Sequence, residues 1–124
     1  MIYRLKGPGR MAMISDSGTV TGLPDGEHVI DGRKYLIIDG TNRVNGGATL
    51  SCGACYLDGG VRNLAGIGIP AADALRMASR TPAERLGRSD IGAARPGAQA
   101  HLAAFDEALN PVFSLIGENI YMRK

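Results

Sequence analysis

Asp16 is the first residue whose type and position suggest chemistry. It closes the short apolar run Arg10 to Ser15 and stands ahead of Ser17-Gly18. A carboxylate at the end of an apolar strand is held rigidly while the following loop meets substrate, as in α/β barrels. The competing role is an Asp that caps its own turn. Cys52-Gly53-Ala54-Cys55 is the second candidate, a C-x-x-C. Such a pair can cycle through a disulfide when a helix N-terminus favours the first thiolate, or supply half of a zinc site. Zinc usually takes four ligands, and only His28 and His101 remain to complete the set. A redox motif needs a β-strand directly before it, whereas Gly46-Gly47-Ala48 and then only Thr49-Leu50-Ser51 precede this one. Two small buried residues at a helix start fit better.

His28, between Glu27 and Val29, reads as an exposed structural residue of a strand. His101 has no acidic neighbour before Asp106, and neither His has the H-x-H or H-E-x-x-H spacing of a hydrolytic metal centre. Gly66-Ile67-Gly68 lacks the third Gly of a dinucleotide fingerprint and ends a helix instead of following a strand.

The elements that would position these residues follow from pattern and punctuation. Arg10 to Ser15, between Gly7-Pro8-Gly9 and Asp16-Ser17-Gly18, reads as a short buried strand. Thr21 to Gly26 is loop. Glu27 to Ile30 and Arg33 to Ile38 form a hairpin across Asp31-Gly32, since Asp-Gly between β-rich runs is a strong hairpin signal. Asp39-Gly40 is a second turn, leading into a Gly-rich stretch through Gly46-Gly47. Leu57 to Ala65 places Leu57, Val61 and Leu64 on one helical face, and Gly66 and Gly68 stop it. Pro70 opens the next helix, with Ala71, Ala74, Leu75 and Ala78 as its buried stripe. Thr81-Pro82-Ala83-Glu84 reads as a capping box whose helix ends at Gly87. Beyond Arg95-Pro96-Gly97, strands return at Ala100 to Phe105, Val112 to Ile116 and Ile120 to Met122. The opening strand has no obvious partner nearby in sequence, which suggests a cut through a larger fold.

Composition bounds the function. The 124 residues suit one domain, with 44% apolar and 21% charged residues, and 18 Gly. A net charge of +2 with interleaved signs, whose longest basic clusters are pairs such as Arg33-Lys34 and Arg123-Lys124, shows no nucleic-acid stripe. No run reaches the ~18 apolar residues of a membrane span, and Met1 to Lys6 is too short and charged for an export signal. A cytoplasmic location with reduced cysteines is the expectation.

Several segments, in order, resemble the N-acetylglucosamine-6-phosphate deacetylases of the amidohydrolase superfamily. Arg4-Leu5-Lys6-Gly7, the following strand and Ser15-Asp16 resemble the entry to the eighth barrel strand and its terminal Asp. Thr21-Gly22-Leu23-Pro24-Asp25-Gly26-Glu27 resembles the loop after it. Gly60-Val61-Arg62-Asn63-Leu64 is similar to the family's G-V-R-N-L helix, and Ala74 to Ala78 with Thr81-Pro82-Ala83 and Leu86-Gly87 to the run that follows. Pro96-Gly97 with Ala100-His101-Leu102 resembles the superfamily's P-G-x-x-A-D-L. The resemblance covers nearly all of this chain and only about the last third of such an enzyme.

It implies an α/β fold: the C-terminal part of a (β/α)8 barrel over residues 1–95, with its last strand, a β-hairpin insertion and terminal helices, then strands of a small β-sandwich domain over 96–124. It implies hydrolysis of the acetamide of an N-acetylated amino-sugar phosphate to acetate and amine. A divalent metal, Zn or Fe, activates water there, and the Asp of the eighth strand, here Asp16, takes and returns the proton. Counting back without gaps from the G-V-R-N-L helix puts substrate contacts at Leu50, Ser51 and Cys52. Three departures stand out: Ser17-Gly18 after Asp16 in place of a small apolar residue, Cys52-Gly53 in place of Gly-Ser, and His101 in place of an Asp. The family's metal ligands come from earlier strands that no stretch of this chain resembles. The expectation is therefore a chain that binds no metal alone, is inactive without the missing N-terminal barrel portion, and self-associates through its unpaired strand. A sugar-phosphate-binding or interaction module is the second reading, and a C-x-x-C thiol redox protein the third.

Overall fold

The computed structural model describes residues 1–44, 47–53 and 55–122. Gly46 of the Gly-rich stretch, Ala54 of the C-x-x-C and the terminal pair Arg123-Lys124 lie outside the described residues. In chain order the elements are helix α1 (Ile2–Lys6), a 3-10 turn (Pro8–Arg10), strands β1 (Gly26–Ile30), β2 (Arg33–Ile38), β3 (Thr41–Val44) and β4 (Thr49–Gly53), helices α2 (Leu57–Gly66), α3 (Ala71–Ala78) and α4 (Arg80–Arg85), and strands β5 (His101–Phe105), β6 (Pro111–Ile116) and β7 (Asn119–Met122). The chain divides into two compact units, residues 14–60 and residues 1–13 with 61–124.

The unit of residues 14–60 is an antiparallel sheet in the order β1-β2-β3-β4. Its first two turns are the Asp-Gly pairs. Asp31 and Gly32 have φ of 51° and 74°, Asp39 and Gly40 of 50° and 64°, so both turns place two residues in the left-handed region. That backbone matches the twist of the flanking strands, and Asp with Gly tolerates it best. The Asp25 carboxylate fastens the second turn by accepting the amides of Asp39 at 2.9 Å and Gly40 at 3.2 Å. Val20 and Ile37 are fully buried, with Ile30, Tyr35 and Cys52 packed against them. His28 is half-buried rather than exposed, because one ring nitrogen is tied to the Pro24 carbonyl at 2.8 Å.

Strands β3 and β4 are additions to the hairpin foreseen from sequence. Thr41-Asn42-Arg43 and Thr49-Leu50-Ser51 show no apolar alternation, so their pattern carries no strand signal. Pairing supplies what pattern lacks: Leu36 faces Arg43 and Ile37 faces Asn42 across β2–β3. The β3–β4 register shifts between Asn42 and Arg43, which face Cys52 and Leu50 respectively, leaving Ser51 as the extra residue of a bulge.

In the other unit, Val61, Ala74, Met77 and Ala83 are buried. Met77 belongs to the buried face of α3 together with Ala74, a position absent from the expected stripe. Thr81 does not cap a helix. Ser79 is the N-cap of α4, and Thr81 lies inside the helix, fully buried, donating its hydroxyl to the Pro8 carbonyl at 2.8 Å. Glu84, the other half of the expected box, instead accepts from Arg80 one turn earlier. A tertiary acceptor takes the hydroxyl that a capping box would have turned toward a backbone N–H, because a fully buried hydroxyl without a partner is costly.

Arg10 to Ser15 is not a strand. Residues 8–10 form the 3-10 turn, and residues 11–16 take part in no ladder among the described residues. Within the unit of residues 1–13 and 61–124, the Met13 amide bonds to the Met77 carbonyl at 2.9 Å. An apolar run becomes a strand only where neighbouring backbone completes its hydrogen bonds, and sequence pattern alone does not supply that neighbour. The last three strands lie within a residue of the expected positions and pair as a second antiparallel sheet, β5-β6-β7.

Candidate functional site

The candidate site lies within residues 14–60, where Asp16 meets the end of β4. Asp16 has φ 52°, an uncommon backbone setting for a residue with a side chain, and it is exposed. Its carbonyl accepts the Gly53 amide at 2.8 Å. Ser17 forms an isolated parallel bridge with Gly53, so the backbone beside Asp16 runs along the end of β4 for one rung.

Side chains reinforce that rung. The Ser17 hydroxyl donates to the Cys55 carbonyl at 3.2 Å, and the Ser17 amide donates to Ser15 Oγ at 3.3 Å. Thr21 Oγ1 accepts the Gly18 amide at 2.9 Å and donates to the Gly53 carbonyl at 3.1 Å. Ser17, one of the departures from the family pattern, is fastened through both its hydroxyl and its amide. Asp16 keeps its carboxylate in solvent while its peptide is held, a useful setting for a group that must exchange a proton.

The three positions inferred as substrate contacts share β4. Leu50 and Ser51 are exposed, and Ser51 is the bulged residue, whose side chain a bulge re-aims. Cys52 turns inward. Its thiol packs on the Val20–Ile37 core and accepts Asn42 Nδ2 at 3.3 Å. A Cβ on Gly18 would lie 2.4 Å from Cys52 Sγ, so the thiol fills the space that a side chain at position 18 would need.

This revises the account of the C-x-x-C. Cys52 lies inside strand β4 and Cys55 precedes α2, so neither opens a helix, and both are half-buried free cysteines. Gly22 repeats the theme of close approach, since a Cβ there would meet the Tyr56 hydroxyl at 2.3 Å.

Sequence reasoning singled out Asp16 and, by resemblance, Leu50, Ser51 and Cys52, but neither the strand β4 that carries those three nor the bonds that join it to Asp16 through Ser17, Thr21 and Gly53. Gly53 carried no signal of its own, because no strand was legible around it; once β4 is known, a Gly in a strand marks a close backbone approach. Among the described residues no group of three or more His, Cys, Asp or Glu is placed to hold a metal ion. The residues present therefore do not fit the divalent metal that the resemblance implies. No described helix is long and apolar enough to cross a membrane.

No family model matches the sequence. Among curated proteins, the chain is 32% identical over 103 residues to an Escherichia coli K12 protein provisionally named N-acetylgalactosamine-6-phosphate deacetylase, covering 82% of this chain and 61% of that one. It is equally identical over the same length to the N-acetylgalactosamine-6-phosphate deacetylase of Escherichia coli O157:H7, of which it covers 27%. Among solved structures, the N-acetylglucosamine-6-phosphate deacetylase of Pasteurella multocida shares the fold with a TM-score of 0.83 at 24% identity, over 98% of this chain and 32% of that one. A mutant N-acetyl-D-glucosamine-6-phosphate deacetylase from Mycobacterium smegmatis, in complex with N-acetyl-D-glucosamine-6-phosphate, aligns with a TM-score of 0.78 at 28% identity over 96% of this chain and 32% of that one. The chain thus spans about a third of the solved structures it matches. By sequence and by fold together, it is similar to a portion of proteins named as N-acetylated amino-sugar 6-phosphate deacetylases.

Proposed function

We propose that this chain is the C-terminal portion of a deacetylase that hydrolyses the acetamide of an N-acetylated amino-sugar phosphate to acetate and the free amine. In this reading Asp16 is the general base, taking a proton from the attacking water and returning it to the departing nitrogen. The observation that carries it is the exposed Asp16 carboxylate on a peptide bonded to β4. Support comes from the M. smegmatis relative, which binds N-acetyl-D-glucosamine-6-phosphate and aligns over 96% of this chain.

Substrate contacts lie along β4. The exposed Leu50 packs against the sugar or its acetyl group, Ser51 offers a hydroxyl, and Cys52 contributes backbone groups because its thiol faces the core. In that portion-of-a-barrel reading, residues 1–95 close the barrel and 96–124 start the small β-domain. Polypeptide outside this sequence supplies the donors for a divalent metal, Zn or Fe, since the described residues lack them. The chain alone is then inactive and self-associates in the cytoplasm, with neither nucleic acid nor membrane as partner.

Complementation tests the reading. The chain combined with an N-terminal barrel portion releases acetate from an N-acetylated amino-sugar 6-phosphate, and neither part does so alone. Acetate release by neither part and not by the pair contradicts it.

A further inference from the structure

We propose that Gly53 is a positioning residue for Asp16: its N–H and its bare Cα together set the peptide that aims the carboxylate. This rests on the reading of Asp16 as general base. Asp tolerates a left-handed φ better than most residues with side chains, and which way its carboxylate then points depends on what holds its two peptides. At Asp16 that hold comes from Gly53 and the groups bonded to Gly53.

The Gly53 amide donates to the Asp16 carbonyl at 2.8 Å, and Thr21 Oγ1 grips the Gly53 carbonyl at 3.1 Å from the other side. On its strand, Gly53 is paired with Thr41. The rung is thus anchored in the sheet, not in the loop it restrains.

The need for glycine here is steric, since Gly53 is not among the residues with positive φ. A Cβ at position 53 would lie 2.5 Å from the Ser15 carbonyl oxygen and 3.4 Å from that of Asp16. Both are backbone atoms and cannot swing aside as a side chain would. The second distance is ordinary contact and the first is a clash, so any side chain at position 53 pushes on the Ser15–Asp16 peptide. The exposed stretch Thr49 to Ser51, paired with β3 through Val44↔Thr49 and Arg43↔Leu50, lies upstream of that push. Turnover suffers while sugar binding persists.

The test uses the chain complemented to an active deacetylase, comparing Gly53→Ala, Thr21→Val and Asp16→Asn, with Gly66→Ala as control. A Cβ on Gly66 meets nothing within 4 Å. Gly53→Ala lowers kcat roughly 30–100-fold, the penalty for misplacing a catalytic group by about 1 Å, with KM within about threefold. It also displaces the acid limb of the pH profile, which loss of folded protein alone does not do. Thr21→Val lowers kcat several-fold, and Gly66→Ala leaves it unchanged. In the chain itself, the Gly53 amide is protected from hydrogen exchange.

If Asp16→Asn abolishes turnover while Gly53→Ala keeps kcat within twofold, the positioning role is wrong and the base assignment stands. Full activity of Asp16→Asn overturns the base assignment itself. Should Gly53→Ala fail to fold, an unprotected Gly53 amide or an unchanged kcat in Thr21→Val overturns the proposal.

Discussion

The chain contains two antiparallel sheets that use the same architecture to opposite ends. The β1–β4 sheet buries Val20 and Ile37 and ties its last strand to the Asp16 loop by backbone and hydroxyl bonds. The β5–β7 sheet contains no buried residue, and Ile116, Ile120, Tyr121 and Met122 are all more than half exposed. A sheet with a buried face can hold a register and hence a catalytic group, because a one-residue slip would turn its apolar set outward. One with exposed apolar residues along its strands holds register mainly through hydrogen bonds and offers surface. The first is equipped to position a group; the second presents apolar surface, to which the proposed reading gives an associating role.

Substitutions sharpen that contrast, beginning with the largest effect. Ile37→Ala removes a fully buried side chain from the first sheet and costs about 2–5 kcal/mol in chemical denaturation. A loss under 1 kcal/mol would mean that this core does not carry the sheet. Thr21→Val removes the hydroxyl that serves both Gly18 and Gly53, and costs about 1–3 kcal/mol.

Ile120→Ala in the second sheet changes stability by less than about 0.5 kcal/mol, as expected for a residue 65% exposed. The same variant reduces the self-association of the chain in light scattering. A wild-type chain that is a well-folded monomer contradicts the associating role.

The smallest effect concerns Asp90, eleven residues ahead of the first strand of the second sheet. The Arg88 guanidinium, bonded to both carboxylate oxygens with Gln99 on one of them, holds Asp90 down at about 2 from an ordinary 3.8. A depressed carboxylate stabilises the fold above its unfolded value, and that contribution disappears as pH falls from 3.8 toward 2. Acid titration of Asp90→Asn should lack this small component, and an unchanged curve would assign the acid sensitivity to other groups.

The same contrast explains what the sequence made legible. The Asp31-Gly32 and Asp39-Gly40 turns were readable because local backbone chemistry decides them, and α2 because Leu57, Val61 and Leu64 recur with helical period, whereas the short α1 carries no such pattern. Strands β3 and β4 were not readable, since Thr41-Asn42-Arg43 and Thr49-Leu50-Ser51 become strands only by pairing. Thr81 carried the local signature of a cap, and a distant carbonyl took its hydroxyl instead. Asp16 stood out by type and position. Its anchor at Gly53 did not, because a contact across 37 residues leaves no periodic trace.

Asp16→Asn in the complemented enzyme addresses the catalytic account most directly. Losing the base while keeping the shape should lower kcat for acetate release about 10²–10⁴-fold, with KM and the thermal midpoint little changed. Turnover within a few-fold of wild type would remove Asp16 from the chemistry.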